Sequence, residues 1–144
     1  MKNSRKKVIL GWIIFLIWLG MAIFLSTQDY SGSVTVSGSL ARWTYNNTTC
    51  LFGKIPLARF HFYFRKVGHF IMHFGVGLFG LMAIWWTLRK RKLALLLALI
   101  LGITIAIFDE VMQTQVAGRT PDLVDGIINI TSVLAGLVAA ELIF

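Results

Sequence analysis

Cysteine is nearly absent, with Cys50 the only one in 144 residues. An internal disulfide and any multi-cysteine metal site are therefore excluded. Charge is scarce too: only 14% of residues are charged, and just six are acidic. Against this stand a hydrophobic share of 57% and a mean hydropathy of +0.76. A soluble protein of this length lacks the polar surface to cover so much apolar side chain. The solvent that suits this sequence is lipid. There is no internal repeat and no low-complexity tract, and the length suits one domain, taken as residues 1–144. Nucleophile motifs are missing as well: no G-x-S-x-G occurs, and Cys50 has no activating context.

The net charge of +8 suggests nucleic acid until the positions of the charges are read. Lys2, Arg5, Lys6 and Lys7 precede an apolar run, and Arg89, Lys90, Arg91 and Lys92 separate two others. That distribution marks membrane topology, because such clusters attract anionic headgroups and resist translocation. Membrane lipids are the expected partner, and nucleic acid is not.

Four apolar runs are long enough to be spans. The first, Val8 to Leu25, has eighteen residues without a charge, about 27 Å as an α-helix and close to the hydrocarbon thickness. It ends in Phe24-Leu25-Ser26-Thr27-Gln28, not in a small-x-small cleavage site, so an uncleaved helix is expected. The second, Val67 to Leu88, carries Trp85-Trp86 just before the basic turn, where indoles favour the interface. The third, Leu93 to Phe108, closes on Asp109-Glu110, and the fourth, Leu123 to Phe144, includes Asp125, Asn129 and Glu141. Glycines at 75, 77, 80, 102, 126 and 136 suit close helix packing.

The expected fold is thus an all-α bundle of four transmembrane helices at about 8–25, 67–88, 93–108 and 123–144. The dense basic flanks at the N-terminus and at 89–92 predict both termini inside. A long outer loop, residues 26–66, then joins the first two spans. Its first part, Asp29 to Ser39, is polar and rich in Ser and Gly. Its second, Leu51 to Phe64, is aromatic and basic and suits the headgroup region.

With this topology the polar residues of all four spans fall at one membrane face. Ser26 and Gln28 end the first span; Arg65, Lys66, His69 and His73 begin the second. Asp109, Glu110 and Gln113 end the third; Gly118, Arg119, Asp122, Asp125 and Asn129 lead into the fourth. Ionisable groups at membrane depth are costly, so they point inward and find partners. Arg65, His69 and His73 are spaced four apart and form one stripe, and Asp122, Asp125 and Asn129 form another at spacings of three and four.

Several chemistries fit this set. A histidine with a carboxylate makes a general acid–base pair. Arg65, Lys66 and Arg119 can hold the phosphate or carboxylate of an amphiphile. A relay of carboxylates can move protons, and a buried ion-pair network can simply lock the helices. His69-x-x-x-His73 lacks the Glu that follows the first His of the zinc-protease pattern, so no metal is assigned, and no cofactor.

The segments Phe24-Leu25-Ser26-Thr27-Gln28, Arg65-Lys66-Val67-Gly68-His69-Phe70 and Asp109-Glu110-Val111-Met112-Gln113, followed by Gly118-Arg119, Asp125 and Asn129, resemble the VanZ-like family of bacterial membrane proteins. The similarity covers nearly the whole chain except the long first loop. It implies a compact membrane domain of four or five helices in the bacterial plasma membrane. The family is linked to low-level resistance to the glycopeptide teicoplanin. The resemblance carries over Ser26, Gln28, Arg65, Lys66, His69, Asp109, Glu110, Gln113, Gly118, Arg119, Asp125 and Asn129. The chain departs from the family's pattern at Met72-His73, where a Glu-Tyr pair is common, at Met112 in place of His, and at Ala117 in place of Pro.

Two readings lead. In the first, an envelope protein binds an anionic or amphiphilic ligand through Ser26, Gln28, Arg65, Lys66, Gln113, Gly118, Arg119 and Asn129, lowering glycopeptide susceptibility. In the second, an intramembrane enzyme acts on a lipid or lipid-linked cell-wall precursor, with His69, Asp109, Glu110 and Asp125 as its acid–base groups.

Overall fold

The computed structural model describes residues 2–26, 30–48, 55–115 and 122–143. Among them are five helices and no strand: α1 (Lys2–Ser26), α2 (Tyr30–Asn47), α3 (Leu57–Leu88), α4 (Arg91–Thr114) and α5 (Leu123–Ile143). Four are long and apolar enough to cross a membrane: α1 from Arg5 onward, α3, α4 and α5. Their outward surfaces are rows of exposed Leu, Ile, Val and Phe, which in a bilayer face acyl chains.

The stretch between the first two spans differs from the expected loop. It holds α2, and α3 begins ten residues before the apolar run at Val67. Serines and glycines lower the helix propensity of residues 31–39, and the contacts that anchor α2 come from its later turns. Ala41 is buried, Tyr45 donates its hydroxyl to the Ile55 carbonyl at 3.0 Å, and its ring meets Phe60 edge-on at 5.3 Å. Pro56 caps α3 in an extended conformation, and no glycine or proline interrupts the helix until Gly68. At 32 residues α3 is about 48 Å long, so its first turns project beyond a hydrocarbon core of about 30 Å unless it tilts.

Every other helix packs on α3, and α4 and α5 also pack on each other. Small residues allow the approach. A Cβ on Gly77 would strike the Val133 carbonyl, and one on Gly136 would strike the Phe74 carbonyl, so backbone meets backbone where α3 crosses α5. Gly75 makes room for the Trp18 indole, whose Nε1 donates to the Met72 carbonyl at 2.8 Å. Trp12 donates to Thr87 Oγ1 at 2.9 Å, which fixes α1 antiparallel to α3.

Arg89, in the left-handed region at φ 57°, ends α3 and returns its N–H to the Trp85 carbonyl. This makes a tight hairpin into α4. Arg91 Nε then donates to Glu141 Oε2 at 2.6 Å, so the basic turn and the end of α5 share one end of the bundle. Lys66, His69, His73, Asp109, Glu110, Gln113, Asp125 and Asn129 lie toward the other end.

Candidate functional site

Two side chains on α3, one helical turn apart, organise the polar end. Lys66 Nζ lies 2.7 Å from Asp122 Oδ2 and 2.6 Å from Asp125 Oδ1, and it sits over the Phe62 ring at 5.1 Å from the centroid. Asp122 stands at the N-terminus of α5, where its Oδ1 accepts the Val124 N–H at 2.9 Å, a capping contact that also suits the helix dipole. The Lys66 ammonium, followed by that N–H, holds the Asp122 carboxyl below the usual aspartate range.

His69 enters the second, deeper layer. Its Nδ1 lies 3.1 Å from Asn129 Oδ1, and Asn129 Nδ2 donates to Glu110 Oε1 at 2.9 Å and to Asp109 Oδ2 at 3.3 Å. Asn129 is fully buried. Because its amide nitrogen faces two carboxylates, its oxygen faces His69, which makes Nδ1 the donor of that contact. Gln113, one turn beyond Asp109 on α4, donates to Asp109 Oδ2 at 3.0 Å. One buried oxygen thus gathers donors from α4 and α5.

His73 completes the layer. Its ring lies nearly parallel to that of His69, and its Nδ1 lies 3.1 Å from the His69 carbonyl. Its Nε2 lies 3.9 Å from Asp109 Oδ2, as does His69 Nδ1. The α3 face that meets the site is therefore Phe62, Lys66, His69 and His73. The expected stripe began at Arg65, but Arg65 makes no ion pair among the described residues. The helix is rotated so that Lys66 points inward, a rotation set by the glycine contacts with α5.

Of the expected residues, His69, Asp109, Glu110, Gln113 and Asn129 join one hydrogen-bonded network, and Lys66 and Asp125 join the ion-paired layer above it. Ser26 is buried at the end of α1. Gln28, Gly118 and Arg119 lie outside the described residues. Sequence reasoning gave His73 and Asp122 no site role. The four-residue spacing from His69 was the available signal for His73, and the three-residue spacing from Asp125 that for Asp122.

The arrangement can do two things chemically. Carboxylates and imidazoles in contact across three helices can pass a proton. A pair of imidazoles beside a carboxylate also has the composition of a cation site. Among the described residues no Lys or Arg pairs with Asp109 or Glu110, so the carboxyls of the deep layer have imidazole and amide neighbours.

A comparison with characterised proteins and with solved structures finds no match for the chain. A comparison with family models matches VanZ/LLP1 over residues 11–144, which takes in most of the first span, the other three and both polar layers. The protein is a multi-pass integral membrane protein, and it belongs to the VanZ/LLP1 family.

Proposed function

We propose that this single-domain protein of the bacterial plasma membrane receives a lipid or lipid-linked cell-wall precursor at the polar end of its bundle and acts on it by His/carboxylate proton transfer. The N-terminal tail and the 89–92 turn lie on the cytoplasmic side, and the polar end faces outward. The observation that carries the reading is the position of Asn129, which joins His69 of α3 to Asp109 and Glu110 of α4 inside the bundle. A network that served only to lock helices would match its anions with cations. Here Lys66 is committed to Asp122 and Asp125, and the deep carboxylates face imidazoles and amides.

That distribution also speaks against a simple anion receptor, because the lysine expected to hold a phosphate is already held by two aspartates. Lowered susceptibility to teicoplanin-type glycopeptides is the cellular outcome that family membership suggests for such an activity.

The test is turnover of a bacterial lipid extract by protein in nanodiscs, followed by mass spectrometry. A lipid species should be converted over time by the wild type and not by Glu110→Gln or His69→Gln, while both variants still retain it. Lipid retained but never converted would leave only a binding role. Neither retention nor conversion would end the reading.

A further inference from the structure

We propose that His69, His73 and Asp109 form a binding site for one divalent transition-metal ion of the zinc class, with Asn129 as its neutral fourth neighbour. The candidate ligand atoms come from two helices and lie within 4.8 Å of one another. Both histidine nitrogens that face Asp109 Oδ2 are 3.9 Å from it. Two ligands on a zinc ion with bonds of about 2.0–2.1 Å stand about 3.3–3.6 Å apart, so each histidine closes on Asp109 by a few tenths of an ångström and the two imidazoles close on each other by up to about 1.5 Å.

The second observation is His73. This residue is 3% exposed, and its Nε2 is buried without a hydrogen-bond partner. Its Nδ1 is spent on the His69 carbonyl, which sets the tautomer and leaves the Nε2 lone pair directed at a carboxylate oxygen. A lone pair facing an anion is repulsive unless a cation lies between them. A proton on Nε2 does not answer the geometry, since 3.9 Å is too long for an N–H···O bond. A metal ion of ordinary bond length fits that gap.

The surroundings match what metal ligands require. Gln113 orients Asp109 from its own helix, and the His69 carbonyl orients His73. Asn129 Oδ1, 3.1 Å from His69 Nδ1, is a neutral oxygen close enough to turn toward the same ion. Metal entry would shift the His69 proton from Nδ1 to Nε2 and displace the longer Asn129–Asp109 contact, while the 2.9 Å bond to Glu110 persists. Glu110 then stands beside the ion as the base of the proposed chemistry, and the ion supplies Lewis acidity toward a phosphate or carbonyl oxygen. Two histidines four apart with no adjacent glutamate gave no metal signature in the sequence, because the carboxylate comes from another helix.

The proposal uses the same site as the proposed function but is measured without activity. Tag-free protein in detergent is stripped with a chelator, reloaded with zinc, dialysed and analysed for metal. The wild type and His61→Ala should hold about one ion per chain, and His73→Ala and Asp109→Asn should hold little. Cobalt loading should give the wild type the visible absorption of a tetrahedral site, and zinc should raise its melting temperature. A folded wild type that binds neither zinc nor cobalt above the His73→Ala level overturns the site. Should both ligand variants fail to fold, the cobalt spectrum and zinc-dependent melting of the wild type decide alone. Lipid turnover by metal-free protein would sink this inference and leave the enzymatic reading standing. Full metal occupancy without turnover would do the reverse.

Discussion

Asn129 Nδ2 donates to Glu110 Oε1 at 2.9 Å while Asn129 Oδ1 meets His69 Nδ1 at 3.1 Å, so one fully buried amide bridges a base and an acid. The amide donates through two N–H groups and accepts through a separate oxygen, so it serves both carboxylates and the imidazole, which a hydroxyl with its single proton cannot. Asn129→Ala should therefore leave three buried groups short of a partner and lower stability by about 1–3 kcal/mol. Asn129→Asp keeps the shape but replaces the donor with a third anion, and should be worse. Thermal melts in detergent check the order, and an Asn129→Asp melt at or above that of Asn129→Ala would refute it.

The two aspartates that hold Lys66 should differ sharply in weight. The Asp125 side chain is 7% exposed and that of Asp122 is 44% exposed. Lys66→Met leaves Asp125 buried and unpaired, a loss on the order of 3 kcal/mol. The Lys66–Asp122 pair should couple by less than about 1 kcal/mol. Double-mutant cycles separate the two. The Asp122 contribution also has a direction in pH. Because Lys66 and the Val124 N–H depress its carboxyl, the stabilisation is fully present above the ordinary aspartate range and fades as pH falls through the depressed value. Melting temperature below about pH 4 should fall more steeply for the wild type than for Asp122→Asn.

Glycines separate into two classes by what a methyl group would meet. Gly77→Ala and Gly136→Ala drive a Cβ into a carbonyl of the opposing helix, which cannot swing aside, so each should cost about 1–3 kcal/mol. Gly20→Ala and Gly68→Ala meet nothing and should be neutral or stabilise the helix by up to about 1 kcal/mol. The same melts check both classes. Equal effects at Gly68 and Gly136 would mean that α3 and α5 are not in backbone contact.

The spans were legible because uninterrupted apolar runs state their own length, and the basic clusters at 2–7 and 89–92 mark where two of them stop. The start of α3 was not, since Arg59, His61, Arg65 and Lys66 look like loop composition and only Pro56 signals a helix start. The site was half legible. Periodicity told which residues share a face, as with His69 and His73, but it could not tell how α3 is rotated against α5. That rotation follows from Gly77 and Gly136, and it exchanges Arg65 for Lys66 at the site. The third partner of the histidine pair, Asp109, is forty residues from His69 and could be brought there only by the fold.

The side of the membrane faced by the site can be read with the residue that the sequence so nearly lacks. In the sequence Cys50 falls between α2 and α3, after one span and before the next. If the basic turn is inside, the connection between the first two spans is expected outside, and Cys50 with it. A membrane-impermeant maleimide should therefore label it equally in intact spheroplasts and in lysed membranes, with no engineered cysteine needed. Labelling that appears only after lysis would turn the bundle over and put the His69–Asp109 layer at the cytoplasmic face. A substrate confined to the outer leaflet would then be excluded, while the metal site, which depends on distances inside the bundle, would be untouched. Replacing Arg89, Lys90 and Lys92 with Gln should shift part of the protein to the inverted state, because these charges anchor the turn and take no part in the Arg91–Glu141 pair.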